Sequence, residues 1–171
     1  THALYPRCKH RGIIIKIKGY HPFVIAITDS NLVGDKYLNI FGQDNGEDGL
    51  AVFTTNNVDN VIIPHDKMTA YYLYYLARYT FGFIEPKFMN HDETRGCVFD
   101  RKIKKSDIIK SMKSRSICDP CRKQILKKES KITSSQLDAL DRMFFRSGRL
   151  LENTPEKTNK KSKKIKIFIG S

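Results

Sequence analysis

The sequence predicts an α+β protein: a mixed sheet packed on a buried helix, followed by a small helical part stapled through cysteine and histidine. Three observations carry that expectation. Short β-branched or apolar runs fill the first third of the chain. One aromatic stretch of helical length occupies residues 68–81. Three of the four cysteines fall, with one histidine, inside the 31 residues from His91 to Cys121.

The elements follow in order. Residues 12–18 are β-branched and alternate towards their end, which reads as a strand. His21-Pro22 breaks it. Residues 23–28 form a continuous apolar run of the kind found in a strand buried on both faces, closed by a turn at Asp29-Ser30-Asn31. Residues 37–42 and 50–55 are two further strands flanking a polar, glycine-bearing loop at residues 43–49. Residues 68–81 are apolar or aromatic nearly all round, so their helix is buried, with Thr69 as its cap candidate and Gly82 as its stop. A short helix over residues 106–113 is capped by Ser106. Asp119-Pro120 supplies an N-cap and a first-turn proline for a helix running to Lys128. Thr133 and Gln136 have capping-box spacing, and the helix they open puts Leu137, Leu140, Met143 and Phe144 on one face before stopping near Gly148. Residues 153–164 are polar and Lys-rich and read as a linker. Residues 165–169 look like the first strand of something further.

The totals bound the class. A chain of 171 residues with 18 aromatics can bury a core without disulfides. No run of 18 apolar residues predicts a membrane span, and no secretory signal opens the chain. Cysteines clustered at metal spacing fit a reducing, cytoplasmic setting better than a disulfide framework. The net charge of +13 is uneven: residues 101–131 hold twelve Lys/Arg against Asp107, Asp119 and Glu129, while residues 29–59 are acidic. Such a basic segment is either a solvated lysine face or a phosphate-contacting surface, and no recognised nucleic-acid motif accompanies it.

His91, Cys97, Cys118 and Cys121 are the candidate metal ligands. Cys118-Asp119-Pro120-Cys121 is a CxxC pair, whose spacing lets two thiolates reach one tetrahedral Zn²⁺. A turn into a helix start favours thiolates, and Gly96 lets the backbone swing Cys97 towards the metal. One structural zinc on Cys₃His is the expectation. The competing reading is a set of buried free thiols, and Cys8 is an alternative fourth ligand in place of His91. His10, His21 and His65 are isolated.

Taken together, Ile27-Thr28-Asp29, Asn39-Ile40-Phe41-Gly42, Ala51-Val52-Phe53, the aromatic helix, Gly96-Cys97-Val98 and Cys118-x-x-Cys121 resemble the archaemetzincin family of zinc metallopeptidases over residues 12–128. That resemblance implies a metzincin-like mixed sheet on a buried helix. The family carries HExxHxxGxxH on that helix and a second, cysteine-rich zinc site after it. With Gly82 on the motif's glycine, the two helix histidines fall at Tyr75 and Tyr79, the glutamate at Leu76 and the third histidine at Glu85. HExxH chemistry needs two imidazoles one turn apart and a carboxylate to activate water. None is present, so the resemblance implies a pseudopeptidase with a vestigial cleft marked by Tyr75, Tyr79 and Glu85. Counted back from Cys97 instead, His91 lands on the third histidine and Asp92 on the first cysteine of the second site.

Residues 166–171 resemble the opening of TIR-like domains of bacterial defence proteins. The expected organisation is a zinc-bearing domain over residues 1–152, a linker over 153–164 and the start of a truncated TIR-like domain over 165–171. The function this implies is a non-catalytic sensor or regulatory domain of antiviral defence. It would bind a protein, peptide or small molecule in the cleft and control a downstream effector on the same chain. Two alternatives stand beside it: a basic zinc-containing nucleic-acid-binding module, and an atypical hydrolase using Glu85, His91 and Asp92. The aromatics Tyr71, Tyr72, Tyr74, Tyr75 and Tyr79 either line the cleft or fill the core, with core filling expected for at least three.

Overall fold

A computed structural model describes residues 23–34, 38–127 and 130–152. The expected strand over residues 12–18, Cys8, His10, His21, the linker and the terminal strand lie outside the described residues.

The fold is mixed α+β. β1 (Val24–Thr28), β2 (Gly42–Asn45) and β3 (Leu50–Thr54) form a sheet in the order β1-β3-β2. β1 runs parallel to β3, pairing Val24 with Leu50 and Thr28 with Thr54, and β2 is antiparallel to β3. β3 is the most buried strand, as its central place and its Leu-Ala-Val-Phe-Thr sequence demand. Among the described residues β1 is an edge, and Ile27 is exposed, so this strand is not buried on both faces.

β2 departs from expectation. Residues 38–41 are not a strand; Ile40 bridges Leu32 outside the sheet, the Thr54 N–H donates to the Phe41 carbonyl (2.8 Å), and the strand is the polar Gly-Gln-Asp-Asn that follows. An edge strand open to water does not need apolar side chains, and its place is fixed by close approach. A Cβ on Gly42 would strike the Tyr79 hydroxyl and the Val52 carbonyl, and one on Gly46 would strike the Gly82 carbonyl.

α1 (Met68–Ile84) lies against this sheet, entered through a 3₁₀ turn at His65–Lys67. Lys67 occupies the N-cap without a side-chain bond, and Thr69 is not the cap. Tyr71, Tyr74, Tyr75 and Tyr79 are all buried. Three of the hydroxyls find backbone acceptors: Tyr71 donates to the Thr54 carbonyl (2.7 Å), Tyr74 to Val98 (2.5 Å) and Tyr79 to Val52 (3.3 Å). The tyrosines therefore carry apolar bulk into the core and bolt the helix to β3 and to the loop beyond. Gly82 does not end α1. It sits within the last turn facing Asp44, whose carboxylate would crowd a Cβ at 2.9 Å.

After a long loop come a 3₁₀ turn (Lys105–Asp107), α2 (Ile108–Ser114), α3 (Asp119–Ile125) and α4 (Ser134–Glu152). Asp107, not Ser106, is the N-cap of α2; it makes no side-chain cap bond there, and its carboxylate accepts the Lys104 N–H (3.0 Å) at the start of the 3₁₀ turn. α3 has Cys118 as its N-cap and ends at Ile125. The Thr133/Gln136 capping box is present: Gln136 Oε1 accepts the Thr133 N–H (2.8 Å) and Thr133 Oγ1 accepts the Gln136 N–H (3.3 Å). Leu137, Leu140, Phe144 and Leu151 bury one face of α4 against α1, and Met143 is half-buried beside them. The Ser147 hydroxyl donates to the Ala70 carbonyl between the two helices (2.7 Å). α4 passes through Gly148 because the missing Cβ admits the Met112 carbonyl and the Arg115 side chain. Among the described residues no helix is long and apolar enough to cross a membrane.

Candidate metal centre

The metal ligands are assembled by the loop leaving α1 and the turn into α3. A parallel bridge joins His91 to Asp100, and the Arg101 N–H donates to the His91 carbonyl (3.1 Å), closing residues 91–101 into a compact loop. The Val98 N–H donates to the Ser116 carbonyl (3.0 Å), which docks that loop against the segment leading to Cys118. Cys121 follows in the first turn of α3, with Pro120 accommodated before it.

The result brings His91, Cys97, Cys118 and Cys121 together, with one ligand atom from each lying within 4.8 Å of the others. His91 Nε2 is 3.7 Å from Cys118 Sγ. Zn–S bonds near 2.3 Å and Zn–N bonds near 2.0–2.1 Å in a tetrahedron put ligand atoms about 3.6–3.8 Å apart. The donor set and its spacing therefore suit a metal ion such as zinc. The surroundings suit it too. His91 Nδ1 donates to the Glu93 carbonyl at 2.6 Å, which fixes the tautomer and leaves the Nε2 lone pair facing Cys118. Cys97 Sγ accepts the backbone N–H groups of Phe99 (3.4 Å) and Cys118 (3.3 Å), the environment a thiolate needs. Gly96, at φ 70°, makes the turn that aims Cys97 inwards.

The three thiols differ. Burial raises the Cys97 thiol above the usual range despite its two N–H donors. Burial, and then the hydrogen bond with Cys118, pushes Cys121 further up. Burial also opposes ionisation of Cys118, but the Cys121 backbone N–H, the two neighbouring thiols and Arg95 outweigh it and hold Cys118 below the usual range. The protein alone thus eases ionisation of one thiol, and a bound cation would supply the charge that ionises the other two.

Asp100 is the organiser that the sequence does not announce. It is buried, and its carboxylate accepts the backbone N–H groups of Arg95 (3.1 Å), Gly96 (3.0 Å) and Cys97 (3.0 Å), with Oδ1 3.3 Å from His91 Nε2. The only hint is an acidic residue three positions after a Gly-Cys pair, a weak signal of a side chain folding back on its own loop.

The remaining candidates are placed apart. Tyr75 and Tyr79 line a cleft of about 690 Å³ between residues 38–42 and 100–105. Glu85 does not line it. Its Oε1 accepts the Ser130 hydroxyl (2.5 Å) and the N–H groups of Lys131 (2.5 Å) and Ile132 (3.1 Å), tying the end of α1 to the approach to α4. Asp92 pairs with Arg101 (2.7 Å), and the exposed His65 pairs with Asp59 (2.9 Å).

No protein-family model matches the chain, and neither does any curated protein or solved structure.

Proposed function

We propose that this chain is a non-catalytic sensor or regulatory domain on a degenerate archaemetzincin-like fold. One structural zinc staples it, a protein, peptide or small ligand occupies the cleft above α1, and occupancy controls a downstream effector. The observation that carries this reading is the closed ligand set. Three sulfurs and one imidazole nitrogen, all within 4.8 Å of one another, can fill the four corners of a zinc tetrahedron and leave none for the water that a catalytic zinc activates.

The helix supports the same reading. The positions that match the family's catalytic histidines are Tyr75 and Tyr79, which pack on Phe53 with ring centroids 5.1 and 6.0 Å away. Neither can coordinate zinc as an imidazole does. Glu85, His91 and Asp92, the residues an atypical hydrolase would use, are each committed to different partners.

Elemental analysis of the purified chain is expected to return one zinc per polypeptide. Strong chelation is expected to abolish the cooperative thermal transition, because the metal closes the loop that holds Val98 and Phe99 in the core. A mixed peptide library is expected to survive intact. Two zinc ions per chain, or peptide cleavage lost in His91→Ala, would overturn the proposal.

A further inference from the structure

The cleft above α1 has a charge imbalance that the fold does not need. Five cationic side chains line it, Arg78, Arg101, Lys102, Lys104 and Lys105, against two carboxylates, Asp44 and Asp100. Arg101 is paired with Asp92, which leaves four cations facing two carboxylates. Asp100 spends both oxygens on the 95–97 backbone N–H groups, and among the described residues neither carboxylate makes a direct ion pair with a cleft cation.

Three of the cations are half-buried, and each rests on a neutral acceptor. Arg78 donates to the Val98 carbonyl (3.2 Å) and to Asn90 Oδ1 (2.6 Å). Lys102 donates to the Asp100 carbonyl (2.9 Å), and Lys105 to the Asn56 carbonyl (2.9 Å). None of the three makes an ion pair among the described residues. Withdrawing a cation from water without a counter-charge is costly, and structural cations are ordinarily paired. Burial, and then the neighbouring Arg78 charge, holds the Lys102 ammonium well below the usual lysine range, outweighing the pull of Asp100 and Asp107.

The rim is apolar. Leu38 is 82 % and Ile103 87 % exposed, and both line the same cleft. Phe41 lies beside them, with Lys105 Nζ 5.5 Å from its ring centroid. The volume falls within the range of small-molecule sites. A ligand matched to this surface carries several negative charges close together at one end and a flat apolar group at the other.

We propose that the cleft binds a nucleotide phosphate, its phosphate oxygens taken by Arg78, Lys102 and Lys105 and its base lying against Phe41, Leu38 and Ile103. A phosphate's several acceptor oxygens suit an arginine fork and two ammonium groups together. An aromatic face and aliphatic lips accept a base without selecting its identity. An acidic peptide offers single, separated charges and no planar group. The proposal rests on the reading of the chain as a binding domain and names the ligand class of its cleft.

Isothermal titration of the zinc-loaded 171-residue chain tests it, with ATP, pyrophosphate, adenosine and a 12-nucleotide single strand as probes. Saturable ATP binding, displaced by pyrophosphate and not by adenosine, is expected. Lys102→Gln and Lys105→Gln should each weaken it by roughly tenfold or more, the loss of one charge-assisted hydrogen bond. A free nucleotide as the natural source predicts that ATP binds at least as tightly as the strand. A nucleic-acid source predicts affinity rising with strand length and falling more steeply with salt. Either supports the assignment. No saturable heat from ATP, pyrophosphate or the strand at millimolar concentration overturns it, as does binding that both lysine substitutions leave unchanged. Zinc content and circular dichroism are read on the same samples. A folded, zinc-loaded chain that ignores phosphate sinks this inference alone, whereas a chain without zinc sinks the metal-stapled reading first.

Discussion

Asp100→Asn isolates what one buried carboxylate does for the metal loop. Asp100 is 4 % exposed and receives one backbone N–H on Oδ1 and two on Oδ2. Asparagine has the same size, so no cavity opens, but it keeps a single acceptor oxygen. In the cheaper orientation the amide nitrogen takes the Oδ1 position and only the Arg95 N–H loses its partner; in the other, Gly96 and Cys97 both do. A stranded buried donor costs about 1–3 kcal/mol, and the partly exposed Arg95 amide belongs at the low end. The expected loss of stability is about 1–2 kcal/mol, read as a lower urea midpoint. Zinc affinity should fall by ~10-fold or more, as is usual for groups that orient metal ligands, measured by competition with a chromogenic chelator. Wild-type zinc affinity together with a wild-type urea midpoint would refute the reasoning, because the 95–97 turn would then hold its shape without the carboxylate.

Gly148→Ala, which in an ordinary helix interior is worth up to about 1 kcal/mol of added stability, should instead destabilise, since the new methyl collides with the Met112 carbonyl and Arg115; thermal melts give the sign directly. Thr133→Ala removes the hydroxyl that accepts the Gln136 N–H and should cost about 1 kcal/mol, visible as faster amide exchange in the first turn of α4. Lys102→Met should raise stability at neutral pH, because a poorly compensated ammonium leaves the cleft. Burial lowers the folded-state value of Lys102, so between that value and roughly 10.4 the unfolded chain binds the extra proton and the wild type gains stability as pH rises. The advantage of Lys102→Met in urea should therefore shrink from pH 7 towards pH 10; an advantage that grows would show the sign to be wrong.

Sequence spacing exposed the parts of this molecule in which chemistry and local structure coincide. The candidate ligands His91, Cys97, Cys118 and Cys121 are legible because a CxxC turn, a glycine before Cys97 and a helix start each leave a local trace. β1, β3, the beginning of α1 and the Thr133/Gln136 box are legible for the same reason. What escaped depends on neighbours distant in the chain. β2 is polar because the Tyr79 hydroxyl and the β3 backbone demand glycine at residue 42 and water covers the rest. Gly82 and Gly148 read as helix stops, yet each is an accommodation to another element, Asp44 in one case and the α2 end in the other. Tyr75 and Tyr79 both fill the core and floor the cleft, a double role that periodicity cannot separate. In the sequence the cations of residues 101–105 read either as a solvated lysine face or as a phosphate-contacting surface, and only the fold shows that Arg78 lines the same cleft.

The far end of α4 is held at two points. Lys67, at the start of α1, donates to the Leu151 carbonyl at 2.7 Å, and Arg115 is paired with Glu152. With Ser147 bonded to Ala70 midway, α1 and α4 behave mechanically as one strut, because close-packed helices shift as bodies and do not bend at each contact. Tyr75, Arg78 and Tyr79, which form the cleft floor, belong to one member of that strut, and the point where the chain leaves residue 152 belongs to the other. A tilt of α1 that keeps these bonds would carry α4, and residue 152 at its end, along with it.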